Sequence, residues 1–288
     1  MPTIVEQLSP TCDTAIVMGF TQNWTGPAAV VLQALDQVEP QPFDAVMLVQ
    51  DLPQSQRDLL NDIRPCQFID YQPQLKDPSR FARVSSMAFS RYECWAMLAK
   101  YSQVLWIDSD TLPVGEMLSC FEYIKYSGMG LIPHTGTPIS VSFANKIPGF
   151  DMDRECFNSG YIALNRAIGD YQAQRDWLHD ATERWSSDVN SDQAVINLMF
   201  QAMDAPPTVL PGKYNCSPET PVDDVRVLHP WGNQKFWDGI SDPRWDAYHQ
   251  QWIQMGGQPA PQPKPRIQVH TPGRLMRGLQ KMRRLCSA

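Results

Sequence analysis

Two carboxylates, Asp108 and Asp110, flank Ser109 at the end of a nearly continuous apolar run, residues 103–108 (QVLWID). Such a run reads as a strand buried on both faces of a parallel sheet, and ligands of open α/β sheets bind beyond the carboxyl ends of their strands. A turn starting at Asp108 lets both acids converge on one cation, and hard oxygen ligands with open positions suit Mg²⁺ or Mn²⁺ holding a diphosphate. Taken alone, an Asp-x-Asp triplet is equally a solvated turn or a helix cap. His229 closes a second run, 225–229, ahead of Pro230, Trp231 and Gly232. Its imidazole can add a nitrogen ligand to the same metal, which tilts the choice toward Mn²⁺, or it can be a capped surface histidine. Lys235 is a flexible point charge able to reach a phosphate. Phe157-Asn158-Ser159-Gly160 reads as a turn ahead of a strand and offers amide, hydroxyl and open backbone groups to sugar hydroxyls. Asp192 stands where a helix N-cap belongs, with Gln193 after it.

Positioning these groups takes alternating strands and helices. Strands are expected at 14–20, 44–50, 66–70, 103–108, 129–133, 161–165 and 225–229, and helices at 28–38, 53–63, 84–100, 170–184 and 193–202. The helix over 84–100 is expected to bury one face carrying Met87, Trp95 and Leu98. Alternation of this kind implies a doubly wound α/β sandwich. No internal repeat of 20–50 residues interrupts it. Residues 1–254 form one domain on this reading. Residues 255–265, rich in Gly, Gln and Pro, form a linker, and 266–288 form a basic tail.

Composition excludes several classes of protein. Of 288 residues, 43% are hydrophobic, enough for a sizeable core and too many for general disorder. No apolar run reaches the roughly 18 residues of a membrane-spanning helix, and no signal-peptide pattern opens the chain. The seven cysteines are scattered without a C-x-x-C pair, so a reducing cytoplasm is expected rather than a disulfide framework or structural zinc. Residues 264–288 carry seven of the 24 Lys and Arg and none of the 31 Asp and Glu. The first 263 residues thus set 17 basic side chains against 31 acidic ones, a poor general surface for nucleic acid. In the tail, Arg274, Arg277, Lys281, Arg283 and Arg284 alternate with Leu275, Met276, Leu279, Met282 and Leu285. That spacing can part a cationic from an apolar face and rest on an anionic membrane, or remain a solvated terminus.

Several segments occur together in an order that resembles glycosyltransferase family 8, retaining enzymes that include glycogenin, galactinol synthases and bacterial galactosyl- and glucosyltransferases. They are RYECW at 91–95, YSQVLWIDSDT at 101–111, CFNSG at 156–160, DQAVIN at 192–197, LPGKYN at 210–215 and HPWGNQK at 229–235. The last has the family's H-x-x-G-x-x-K spacing. The resemblance implies a GT-A fold, a Rossmann-like, mostly parallel sheet flanked by helices. It also implies a retaining hexosyltransferase moving glucose or galactose from a UDP-sugar to an acceptor hydroxyl. Mn²⁺, with Mg²⁺ as a substitute, would be held by Asp108, Asp110 and His229. Gly19, Thr21, Arg91, Ser109, Asn158, Gly232 and Lys235 would contact the donor. Asp192 and Gln193 would stand at the reacting carbon, Asp192 as nucleophile of a covalent route or Gln193 stabilising positive charge in a same-face one.

Several positions depart from the family. Arg91 replaces a lysine, Glu155 an aspartate, and the loop 21–27 (TQNWTGP) lacks the usual uridine-contacting pattern. A non-catalytic nucleotide-sugar or glycan binder on the same fold, or a nucleotidyltransferase, are the competing readings. The acceptor, whether glycan, lipid-linked sugar, protein or small molecule, is left open.

Overall fold

The computed structural model describes residues 3–73, 75, 85–232 and 234–262. A short helix α1 (Ile4–Gln7), closed by a Thr3–Glu6 capping box, precedes β1 (Thr14–Thr21). There follow α2 (Thr25–Val38), β2 (Asp44–Gln50), α3 (Gln54–Ile63) and β3 (Cys66–Asp70). Next come α4 (Glu93–Met97), β4 (Gln103–Ile107), β5 (Leu112–Pro113), β6 (Met129–Pro138) and β7 (Glu155–Asn165). The chain continues through α5 (Tyr171–Arg184), α6 (Asp192–Ala202), β8 (Thr208–Val209), β9 (Val227–Leu228) and α7 (Pro243–Gln254).

Seven strands form one sheet in the order β3-β2-β1-β4-β7-β6-β8, and β5 pairs with β9 in a second, two-stranded sheet. The β3-β2-β1-β4 half is parallel, β7 runs antiparallel to β4 and β6, and β8 is parallel to β6. Alternation along β1 divides the core. Ala15 and Val17 face a layer with Trp95, Met97, Leu178 and Val195, while Ile16, Met18 and Phe20 face Ala28, Leu32, Leu35 and Leu60. Both faces of the sheet are therefore covered, which is why β2 reads as an unbroken apolar run. Among the described residues no helix is long and apolar enough to cross a membrane. The basic tail expected over 266–288 lies outside the described residues.

Four sequence expectations are corrected. The single helix over 84–100 is instead a 3₁₀ stretch, Ser86–Tyr92, running into the short α4. Ser85 caps Met87 N, and Ser90 Oγ turns back onto Met87 O at 2.6 Å, competing with a regular α-helical ladder. The segment is buried on all sides rather than on one face, because it is packed between β1 and α5. Within it Glu93 is fully buried, paired with Arg175 at 2.8 Å and in contact with His179 Nε2 at 3.1 Å, an anchor to α5. Residues 157–160, expected to turn before a strand, lie inside β7, with Asn158 opposite Ile132 of β6. Ser191, not Asp192, is the N-cap of α6; Asp192 is its first residue. The strand before His229 is only Val227–Leu228 and belongs to the small sheet.

Within the stretch expected to link body and tail, the chain packs back on the body. Trp252 Nε1 donates to Gln258 O, Gln258 N to Gln56 Oε1, and Ala260 N to His249 Nε2. A side chain on Gly26 would meet Gln258 O at 2.8 Å and Ala260 N at 2.9 Å, so glycine there lets this strap cross the first turn of α2.

Candidate active site

The acid pair is set by the end of a buried strand. β4 delivers Asp108, whose N–H donates to Gly160 O of β7 at 3.0 Å, and the chain then turns as Thr111 N and Oγ1 both donate to Asp108 O. The turn brings Asp108 and Asp110 to the same place. The small sheet does the rest: Leu112 pairs with Leu228, placing His229 beside Asp110 although the two are far apart in sequence. One potential ligand atom from each of Asp108, Asp110 and His229 lies within 4.8 Å of the others. His229 Nε2 is 3.4 Å from Asp110 Oδ1 and 3.9 Å from Asp108 Oδ2. Two carboxylates and one imidazole gathered at these distances fit a hard-to-borderline divalent cation such as Mn²⁺.

The surrounding field is strongly structured. Burial by itself raises the Asp110 carboxyl, but His229 and then Lys235 overcome it and hold that group well below the ordinary carboxylate range. Lys235 Nζ pairs with Asp110 Oδ2 at 2.5 Å and donates to Pro230 O at 2.9 Å. Arg91, 6% exposed, bridges two acids, with NH2 3.0 Å from Asp108 Oδ1 and NH1 3.0 Å from Asp192 Oδ2. It also donates to Ser159 O and Oγ and, through Nε, to Ala88 O. Burial opposes its charge, and Asp108 and Asp192 more than offset that, so its guanidinium is held more firmly protonated than usual. Asp192, 3% exposed, is pushed upward by burial against the pull of Arg91, and its Oδ2 accepts from Ser159 Oγ at 2.9 Å.

The residues singled out from sequence are not all brought together. Asp108, Asp110, His229, Lys235, Arg91 and Asp192 form one connected network, and Gln193 joins it through Ser159 N, which donates to Gln193 Oε1 at 3.2 Å. Gly19 acts at one remove. Its missing Cβ makes room for Ser90 and for Trp106, whose Nε1 donates to Asp108 Oδ1. Ser109 is buried between the two acids. Thr21 stands opposite Gln50 at the ends of β1 and β2 and, among the described residues, makes no hydrogen bond to the cluster. Gly232 has open space around it and φ of +84°, so its backbone conformation accounts for the glycine.

Sequence reasoning assigned no role to Asn215, although it closes the segment LPGKYN. Asn215 Oδ1 is 2.8 Å from His229 Nδ1, its Nδ2 donates to Asn158 Oδ1 at 2.7 Å, and Trp231 Nε1 donates to its Oδ1 at 3.2 Å. Gly160 was noted only as an open backbone position. A Cβ there would fall on His229 Cε1 and lie 2.7 Å from Nδ1. Gly160→Ala is therefore expected to displace the imidazole, weakening any divalent-cation binding by the three side chains about 10-fold or more, while overpacking costs the fold about 1–3 kcal/mol. Calorimetric Mn²⁺ titration beside thermal unfolding checks this, and unchanged Mn²⁺ affinity would show that the ring is not confined from this side.

The sequence profile described as Glycosyl transferase family 8 matches residues 15–241. No curated protein sequence matches this chain. Among solved structures it is similar to galactosyltransferase LgtC in complex with donor and acceptor sugar analogs, at 16% identity and a TM-score of 0.64, over 84% of this chain and 99% of that one. It is also similar to the bifunctional glycosyltransferase WbbM, at 16% identity and 0.66, over 86% of this chain and 52% of that one, so it spans about half of that protein. A third is the glycosyltransferase GlyE of Streptococcus pneumoniae TIGR4, at 18% identity and 0.57, over 87% and 66%. At these identities the likeness is one of fold, and the mostly parallel sheet flanked by helices is a GT-A arrangement.

Proposed function

The chain belongs to glycosyl transferase family 8, and from that premise we propose that it is a retaining hexosyltransferase, moving glucose or galactose from a UDP-sugar to an acceptor hydroxyl. The observation that carries this reading is the convergence of Asp108, Asp110 and His229 from β4, its following turn and the end of β9. These three would hold Mn²⁺, with Mg²⁺ as a possible substitute. When bound, the metal supplies positive charge against the diphosphate as UDP departs.

The chain's own groups supply the rest. Lys235 has three N–H donors, two of them turned to Asp110 and Pro230 O, and the third would serve a phosphate oxygen. Arg91 bridges Asp108 and Asp192 and offsets part of their negative charge. Asn158 and Asp192 would orient donor-sugar hydroxyls. Asp192 is nearly inaccessible, with Oδ2 shared between Arg91 and Ser159, which favours orientation over nucleophilic attack and hence same-face transfer. In that route the bond from anomeric carbon to diphosphate oxygen breaks with its electron pair going to UDP. The acceptor oxygen bonds on the face just vacated, and its proton passes to the departing phosphate oxygen. Gln193 would lie beside the positive charge that develops between the two events.

Incubation with UDP-glucose or UDP-galactose should release UDP slowly by hydrolysis without any acceptor, and Mn²⁺ should accelerate it. Absence of both UDP binding and a metal effect would refute the assignment. Release of pyrophosphate from a nucleoside triphosphate would instead point to nucleotidyl transfer.

A further inference from the structure

Two groups that can only donate hydrogen bonds fix the state of the His229 ring. The Gly160 backbone N–H donates to Asn158 Oδ1 at 2.8 Å, which identifies that atom as the amide oxygen. Asn215 Nδ2 then donates to the same oxygen at 2.7 Å. From the other side, the indole Nε1–H of Trp231 donates to Asn215 Oδ1 at 3.2 Å. Both amides are thereby oriented without an alternative, since flipping either would set donor against donor. His229 Nδ1, 2.8 Å from Asn215 Oδ1, faces an acceptor and must carry a proton. In the neutral ring Nε2 is then a bare lone pair, and Nε2 is the atom turned toward Asp108 and Asp110.

Resting on the Mn²⁺ reading above, we propose that Asn215 is a positioning residue, oriented by Trp231 and Asn158, that fixes the Nδ1–H tautomer of His229 and presents Nε2 as a metal ligand. A histidine ligand's affinity depends on the partner that holds its other nitrogen. The arrangement reaches further than one hydrogen bond. Both donors received by Asn158 Oδ1 come from the protein, so Nδ2 is the part of that side chain left for a sugar hydroxyl. Asn158 would thus touch the donor sugar with one end and steady the metal ligand's partner with the other. Gly160 completes the clamp, leaving the ring no room for a Cβ on the β7 side.

The test uses the full chain and Mn²⁺ itself, read from the electron paramagnetic resonance signal of unbound Mn²⁺. Asn215→Leu keeps the branched shape but removes the acceptor, and should weaken Mn²⁺ binding by about 10- to 100-fold in a protein that still unfolds cooperatively. Trp231→Phe keeps a ring and removes the N–H, and should shift affinity in the same direction by less. In wild-type protein loaded with diamagnetic Zn²⁺, long-range ¹H–¹⁵N spectra should place the His229 proton on Nδ1. Folded variants that bind Mn²⁺ as tightly as wild type would overturn the relay alone, as would a His229 proton on Nε2. If wild type itself takes up no Mn²⁺, the metal reading fails and the relay with it. Should Asn215→Leu not fold, Trp231→Phe and the wild-type spectrum decide the matter.

Discussion

Alanine at Asp110 or at His229 is expected to leave the fold standing while cutting Mn²⁺-dependent turnover of a UDP-sugar by about a thousandfold. Either change removes one of the three side chains that, among the described residues, gather where a metal could be held. Metal stabilisation of a departing phosphate amounts to several kcal/mol, and each 1.4 kcal/mol is a factor of about ten in rate. The two variants should nevertheless differ in their side effects. Asp110→Ala also strips Lys235 of its carboxylate partner and leaves two cationic or polar groups facing one another. His229→Ala leaves the Asp110–Lys235 pair intact and takes from Asn215 Oδ1 the imidazole partner while the Trp231 donor stays. Steady-state rates with and without Mn²⁺, beside circular dichroism, would check both. Turnover at wild-type rates in either variant would put the metal, or the chemistry, elsewhere in the molecule.

Arg91→Met should have the largest effect on stability. The side chain is buried and stands between the carboxylates of Asp108 and Asp192, so its loss leaves two acids close together without a compensating charge. Removing one partner of a buried ion pair costs about 3–5 kcal/mol. The Asp192 carboxyl, already raised by burial against the pull of Arg91, would rise further once that pull is gone. Adding Asp192→Asn to Arg91→Met should return part of the loss, because a neutral amide needs no cation. Arg91→Lys would keep the charge but not the fork that reaches Asp108, Asp192 and Ser159 at once. Urea unfolding of the three variants measures these differences. A midpoint for Arg91→Met equal to wild type would mean that the paired charges contribute nothing net.

How far the sequence carries depends on whether a residue's partners are close along the chain. The bounds of β2 can be read directly, since a strand covered on both faces leaves an unbroken apolar run. Asp108 and Asp110 are legible for the same reason: the run of β4 ends on them. The polar residues of β7 misled. Asn158 and Ser159 look like turn formers because their side chains are hydrophilic, yet they are buried strand residues satisfied by Asn215, Arg91 and Asp192. β5 and β9, two residues each, are too short to leave any periodic trace, although their pairing is what carries His229 to the acids. Asn215 was invisible for a related reason. Its significance lies in three partners, Asn158, His229 and Trp231, that only the folded chain assembles.

The crossing of residues 258–260 over Gly26 has a mechanical meaning. That glycine sits in the first turn of α2, a few positions after the end of β1. A pull on the chain at 262 is delivered first to the seam between α2 and the strap, not to the helix α7 that precedes it. Cutting the chain at 254 would remove the buckle along with the tether and lay bare the packed surface of Gly26. A shortened protein made to remove the tail should end no earlier than 262.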